Sequence, residues 1–116
     1  MIEELVGKVF ALRNVAHTEH WKTKSGYVHE TLSAVYDGLI SGVDSFVEPY
    51  IGNFGTLGPI TTTTSTSDTL TGLKDLVAWI EENRDELTGE VCALEARLDD
   101  FSADILGWIF KLDNLS

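Results

Sequence analysis

The chain has 116 residues, 43% hydrophobic and 9% aromatic, which is enough for one core and argues against a disordered chain or two full domains. Its net charge of −11, from 8 basic and 19 acidic residues, argues against a nucleic acid or an anionic membrane as partner, since both require clustered Lys and Arg, and it suits cations. The single cysteine, Cys92, leaves no possibility of an internal disulfide; it falls in a helical pattern and is expected to pack.

The N-terminal residues are acidic and amphipathic, without the basic and apolar regions of a signal peptide. A cytoplasmic protein is the default expectation. Residues 2–22 read as a first helix, because Ile2, Leu5, Val9, Leu12, Ala16 and His20 share one face, widened by Val6 and Phe10 and bordered by His17. Lys22 to Gly26 stop it with basic residues and a glycine.

A second helix is expected over 27–50, with Val28, Leu32, Val35, Leu39, Val43, Phe46 and Tyr50 as its apolar stripe. Gly38 and Gly42 lie inside it. Two readings stand side by side: simple tolerance, at about 1 kcal/mol each relative to Ala, or close approach by a neighbouring helix. Pro49 is expected to kink or end the helix, since it lacks a donor.

Residues 52–67 carry no charge and are rich in Gly and Thr, so they are neither helical nor a membrane span. A loop this long needs a reason. Sixteen extended residues reach roughly 50 Å, whereas a 24-residue helix is about 36 Å long. The segment can therefore run the length of a bundle and join helices two and three in a parallel sense. A disordered linker between two helical hairpins is the alternative. A third helix is expected over 68–87, capped by Asp68, and a fourth over 90–112, with Thr88-Gly89 as the break. The expected architecture is all-α: one four-helix domain spanning residues 1–116, with a long crossover between helices 2 and 3.

The three histidines, His17, His20 and His29, fall in one short window. Imidazole suits iron, zinc and copper, and carboxylates complete sites for harder ions. His20 lies near the end of helix one and His29 in the first turn of helix two, so a hairpin sets them side by side. Asp44 and Glu48 are neighbours four apart on helix two. His29 and Asp44 are fifteen residues apart on one helix, about 22 Å of rise, and cannot share a metal within one chain. Two copies of helix two, antiparallel across a twofold axis, would bring His29 of one beside Asp44 and Glu48 of the other. If these residues form one site, it is intersubunit, and Gly38 and Gly42 would permit the close approach there.

These residues resemble the Dps family of miniferritins, within the ferritin-like superfamily. The resemblance covers roughly residues 5–52: the pair His20-Trp21, the basic and glycine turn Lys22 to Gly26, the pair His29-Glu30, then Asp44 and Glu48. The resemblance implies a ferritin-like bundle whose twofold-interface site binds Fe(II) and oxidises it with peroxide or oxygen. It also implies a homo-oligomer, at least a dimer and up to a dodecameric shell. The implied ligands are His20 and His29 from one subunit and Asp44 and Glu48 from the other, with zinc as a surrogate for iron. His17 and Asp37 are further candidates, and Trp21 and Ser33 would stand beside the ligands.

The sequence departs from the family pattern in several places. Ser33 replaces an acidic residue, the turn between His20 and His29 is short, and DNA-binding basic tails are missing. A divergent branch, such as one encoded by a bacteriophage, fits this pattern. Two other readings compete with a ferroxidase: a structural or accessory protein that keeps the bundle without the chemistry, and a partner-binding helical module using Trp79, Trp108 or Phe110.

Overall fold

A computed structural model describes residues 1–62 and 67–115. Among these, five α-helices form and no strand does: α1 (Ile2–Lys22), α2 (Gly26–Phe54), α3 (Thr69–Glu82), α4 (Arg84–Thr88) and α5 (Cys92–Phe110), followed by a π-helical turn, Lys111–Leu115. No helix is long and apolar enough to cross a membrane among the described residues. At 1.5 Å per residue the 29 residues of α2 are about 44 Å long. That length sets the long dimension of the molecule, 44 × 25 × 21 Å.

The core follows the 3/4 periodicity. α1 buries Ile2, Leu5, Val9, Leu12 and Ala16, and α2 buries Leu32, Val35, Leu39, Val43 and Phe46. Leu73, Leu76 and Ile80 of α3, Leu87 of α4, and Leu94, Leu98, Phe101 and Ile105 of α5 close around them. α1 packs on α2 and α3, and α5 packs on the same two helices. The approaches are close where glycine removes a side chain. A Cβ on Gly42 would enter the Phe101 ring, one on Gly38 the Trp108 ring, and one on Gly72 the Leu12 side chain. Close approach is therefore the correct reading of Gly38 and Gly42, but the neighbour is α5 of the same chain. These glycines lie on the side of α2 that is turned to α5.

The α1–α2 hairpin turns on three residues, Thr23 to Ser25. Thr23 N–H donates to Glu19 C=O, and Ser25 Oγ caps α2 by accepting from Val28 N–H at 3.2 Å. α2 does not stop at Pro49 but runs five residues further, so 52–54 are helix and not connection. The rings of Phe46, Tyr50 and Phe54 follow one another at centroid spacings of 6.2 and 5.0 Å across the proline, and Gly55, at φ +94°, ends the helix. The packing of these rings outweighs the one donor that proline removes.

The connection to α3 is pinned to α1 by carboxylates. Gly58 N–H donates to Glu3 at 2.9 Å, the carbonyl of Thr61 lies against Gly7, and Thr69 N–H donates to Glu19 at 2.8 Å. Of the connection expected over 52–67, residues 63–66 lie outside the described residues. Asp68 caps α3 as expected, accepting from Thr71 N–H at 2.7 Å.

The helix expected over 68–87 is divided at Asn83 into α3 and α4. Gly89 and Glu90, both left-handed at φ 57° and 61°, make the turn into α5. Asn83 Nδ2 donates to Trp79 C=O, which competes with helix continuation. α5 ends at Phe110, two residues before the expected limit, where the π-helical turn takes over. Two expectations about packing are corrected. Phe10 is 37% exposed, on the outer border of α1, and Cys92 is exposed at the start of α5 instead of packed.

Candidate metal-binding face

The hairpin brings His20 and His29 together. Their rings stack with centroids 3.6 Å apart and planes 19° from parallel. Each Nδ1 lies 2.7 Å from the backbone carbonyl of the other residue. A carbonyl only accepts, so both Nδ1 atoms carry hydrogen and donate. His29 thereby caps one of the last carbonyls of α1, which the helix itself leaves open. With both Nδ1 positions occupied, Nε2 is the nitrogen that each ring has left for a ligand. A backbone carbonyl on the other ring nitrogen is the usual orienting partner of a metal-binding histidine.

Three more rings extend the cluster. His17 stacks on Tyr36 at 4.0 Å and contacts Trp21 at 4.3 Å, and Tyr36 meets the edge of His20 at 5.4 Å. Arg13 lies over Tyr36 at 5.3 Å. Loss of water around His17 holds its pKa below the ordinary imidazole value; repulsion from Arg13 and His20 adds to this, and Asp37 opposes it. Trp21 is 69% exposed and touches His17, not the stacked pair. Ser33, half-buried, donates to Tyr36 Oη at 3.4 Å. Tyr36, central to this cluster, was not singled out by the sequence; its place seven residues after His29, two helical turns along the same side of α2, was the available signal.

Asp37, Asp44 and Glu48 are exposed on α2, and no ion pair or hydrogen bond engages the side chains of Asp44 and Glu48 among the described residues. At 3.6 residues per turn His29, Ser33, Asp37, Asp44 and Glu48 fall within an arc of about 100°, opposite Gly38. Within one chain the two histidines meet each other but not the two carboxylates. No three His, Cys, Asp or Glu side chains converge to hold an ion among the described residues. The donor types nevertheless fit a first-row divalent metal: two imidazole nitrogens with hydrogen-bonded backs, and two carboxylates without competing partners.

The fold and this face define an acidic, all-helical protein with a paired-histidine hairpin. The chain belongs to DUF5856, a family of unknown function, whose profile matches residues 20–112 and so takes in His20, His29, Asp44 and Glu48. Comparison with curated proteins and with solved structures returned no match.

Proposed function

We propose that this protein is a Dps-like iron-binding protein and ferroxidase, a ferritin-like four-helix bundle with its metal site at a twofold dimer interface. The bundle reading is supported by residue pairs. Gly72 against Leu12 and Trp79 over Lys8 run α3 opposite to α1. Trp108 on Gly38, Phe101 on Gly42 and Arg97 on Ser45 run α5 opposite to α2. α2 and α3 are then parallel, which requires a connection the length of the molecule. The contacts of Gly58 with Glu3 and of Thr69 with Glu19, at the two ends of α1, support that requirement.

The observation that carries the site is the reciprocal His20–His29 pair, each Nδ1 donating to the other's backbone carbonyl. It orients two Nε2 donors before any metal arrives. His20 and His29 of one copy, with Asp44 and Glu48 of the next, would hold Fe(II) as substrate. Peroxide or oxygen would take the electron that each Fe(II) gives up. Carboxylates favour the ferric product because its higher charge gains more from their negative charge.

Titration of the purified protein with Fe(II), with and without Glu48→Ala, tests this. One ion per chain, lost in the variant, is expected. Absence of stoichiometric binding by the unmodified chain sinks the proposal. A second reading, a structural or accessory protein that keeps the bundle without the chemistry, is favoured by Ser33: its hydroxyl bonds Tyr36 where the Dps pattern has an acid. That reading expects a defined oligomer whose melting temperature does not respond to metal.

A further inference from the structure

A groove runs between α1 and α3 at the level of Gly72. Because Gly72 has no side chain, a methyl of Leu12 takes the place that its Cβ would fill, and the two helices approach closely there. Beside this contact lies a cavity of about 220 Å³ that opens to solvent. Ala11, Leu12 and Leu76 form its apolar part, and both leucines are buried. Its charged part is one side chain from each helix, Lys8 of α1 and Asp75 of α3.

Opposite charges on the two walls of a groove can neutralise each other directly, but these do not. Lys8 Nζ lies over the Trp79 ring, 5.2 Å from its centroid, where the face of the ring attracts it. Lys74, the basic neighbour of Asp75 in sequence, is turned to Asp113 at 3.3 Å. Neither Lys8 nor Asp75 enters an ion pair among the described residues.

The cavity therefore offers a cationic donor and an anionic acceptor side by side. A simple carboxylate would satisfy Lys8 and be repelled by Asp75, and a simple amine would satisfy Asp75 and be repelled by Lys8. A ligand that carries both charges close together satisfies both walls at once. Size narrows the class further. At about 30 Å³ per water the volume equals about seven waters, and it falls below the roughly 300 Å³ at which pockets for drug-sized ligands begin. The apolar wall calls for a short hydrocarbon group beside the two charges. We propose that this cavity binds a free α-amino acid with an aliphatic side chain: its carboxylate on Lys8, its ammonium on Asp75, and its side chain against Ala11, Leu12 and Leu76. None of these residues is among the candidate metal ligands, so the site stands or falls apart from the iron reading.

Amide chemical-shift titration of the isotopically labelled protein tests the site, with L-leucine and two analogues that each lack one of its charges. Isocaproate lacks the ammonium and isoamylamine lacks the carboxylate. Leucine is expected to give saturable shifts centred on Leu12 and Gly72, and each analogue to bind about 10-fold more weakly. Asp75→Asn is expected to weaken leucine about 10-fold without weakening isocaproate, which has no ammonium to lose a partner. Lys8→Gln is expected to weaken leucine similarly without weakening isoamylamine. Both side chains are exposed, so circular dichroism is expected to be unchanged in the variants.

Absence of saturable leucine binding overturns the proposal. So does an analogue that binds as tightly as leucine, which would make this a site for a carboxylate or an amine alone; that comparison uses the unmodified chain and needs no variant to fold. Leucine affinity that survives both substitutions places the ligand elsewhere and overturns the assignment as well.

Discussion

At the residue scale the glycines separate two roles that look alike in sequence. Gly42 and Gly107 are both helix-interior, yet a Cβ on Gly42 would enter the Phe101 ring while one on Gly107 meets nothing within 4 Å. Gly107→Ala is therefore expected to stabilise the fold by about 0.5–1 kcal/mol, through helix propensity alone. Gly42→Ala is expected to destabilise it by about 1–3 kcal/mol, because Phe101 is buried and has to shift. Urea unfolding monitored at 222 nm checks both, and equal effects would show that the Phe101 contact does not form.

Glu3 is a second case. Its bond from Gly58 N–H, aided by the charged N-terminus, holds its carboxyl below the usual glutamate range. A depressed folded-state pKa contributes stability above the unfolded value, near 4.3, and loses it as pH falls through the folded value. Glu3→Gln is expected to flatten the dependence of unfolding free energy on pH in that acid window, and a pH series of urea melts reads this out. The histidine types and carboxylate spacing at the candidate site were legible in sequence. The exchange of Nδ1–H bonds between His20 and His29 was not, because it depends on a three-residue turn placing two helix ends within one ring's width.

Helix positions were legible and helix ends less so. Stripes of Leu, Val and Ile every three or four residues locate α1, α2, α3 and α5, because burial follows that period. Ends depend on local competition. Asp68 wins its competition visibly, by accepting from Thr71 N–H, and its pKa is lowered mainly by that bond. Asp68→Ala is expected to cost about 1 kcal/mol, measurable by thermal or urea unfolding. Pro49 loses its competition. Tyr50 and Phe54, packed ring against ring at a steep tilt, keep α2 going although the proline leaves the carbonyl four residues back without its helical donor. Pro49→Ala is expected to stabilise the chain by about 1–3 kcal/mol in the same measurement; a loss of stability would mean that the bend at Pro49 is needed to seat those rings.

At the scale of the whole molecule, the connection is held at sites that local patterns do not specify. Glu3 and Glu19 lie sixteen residues apart on α1, about 24 Å, and each accepts from a backbone N–H of the segment between α2 and α3. Effects at such separated sites add. Glu3→Gln and Glu19→Gln are expected to lower stability independently, the double variant equalling the sum within about 0.5 kcal/mol. A double variant that loses much more than the sum would show the segment detaching as one unit.

Composition, charge and apolar periodicity are properties of the chain itself, and they already specified an acidic, all-helical protein with four long amphipathic segments and paired histidines beside a turn. Which helix fills the notches at Gly38 and Gly42, how far α2 outlasts its proline, and that the histidines hold each other while Asp44 and Glu48 have no partner among the described residues were decided only by tertiary packing. Each of these depends on contacts between residues far apart in sequence, whose free energies exceed local propensity and leave no periodic trace along the chain.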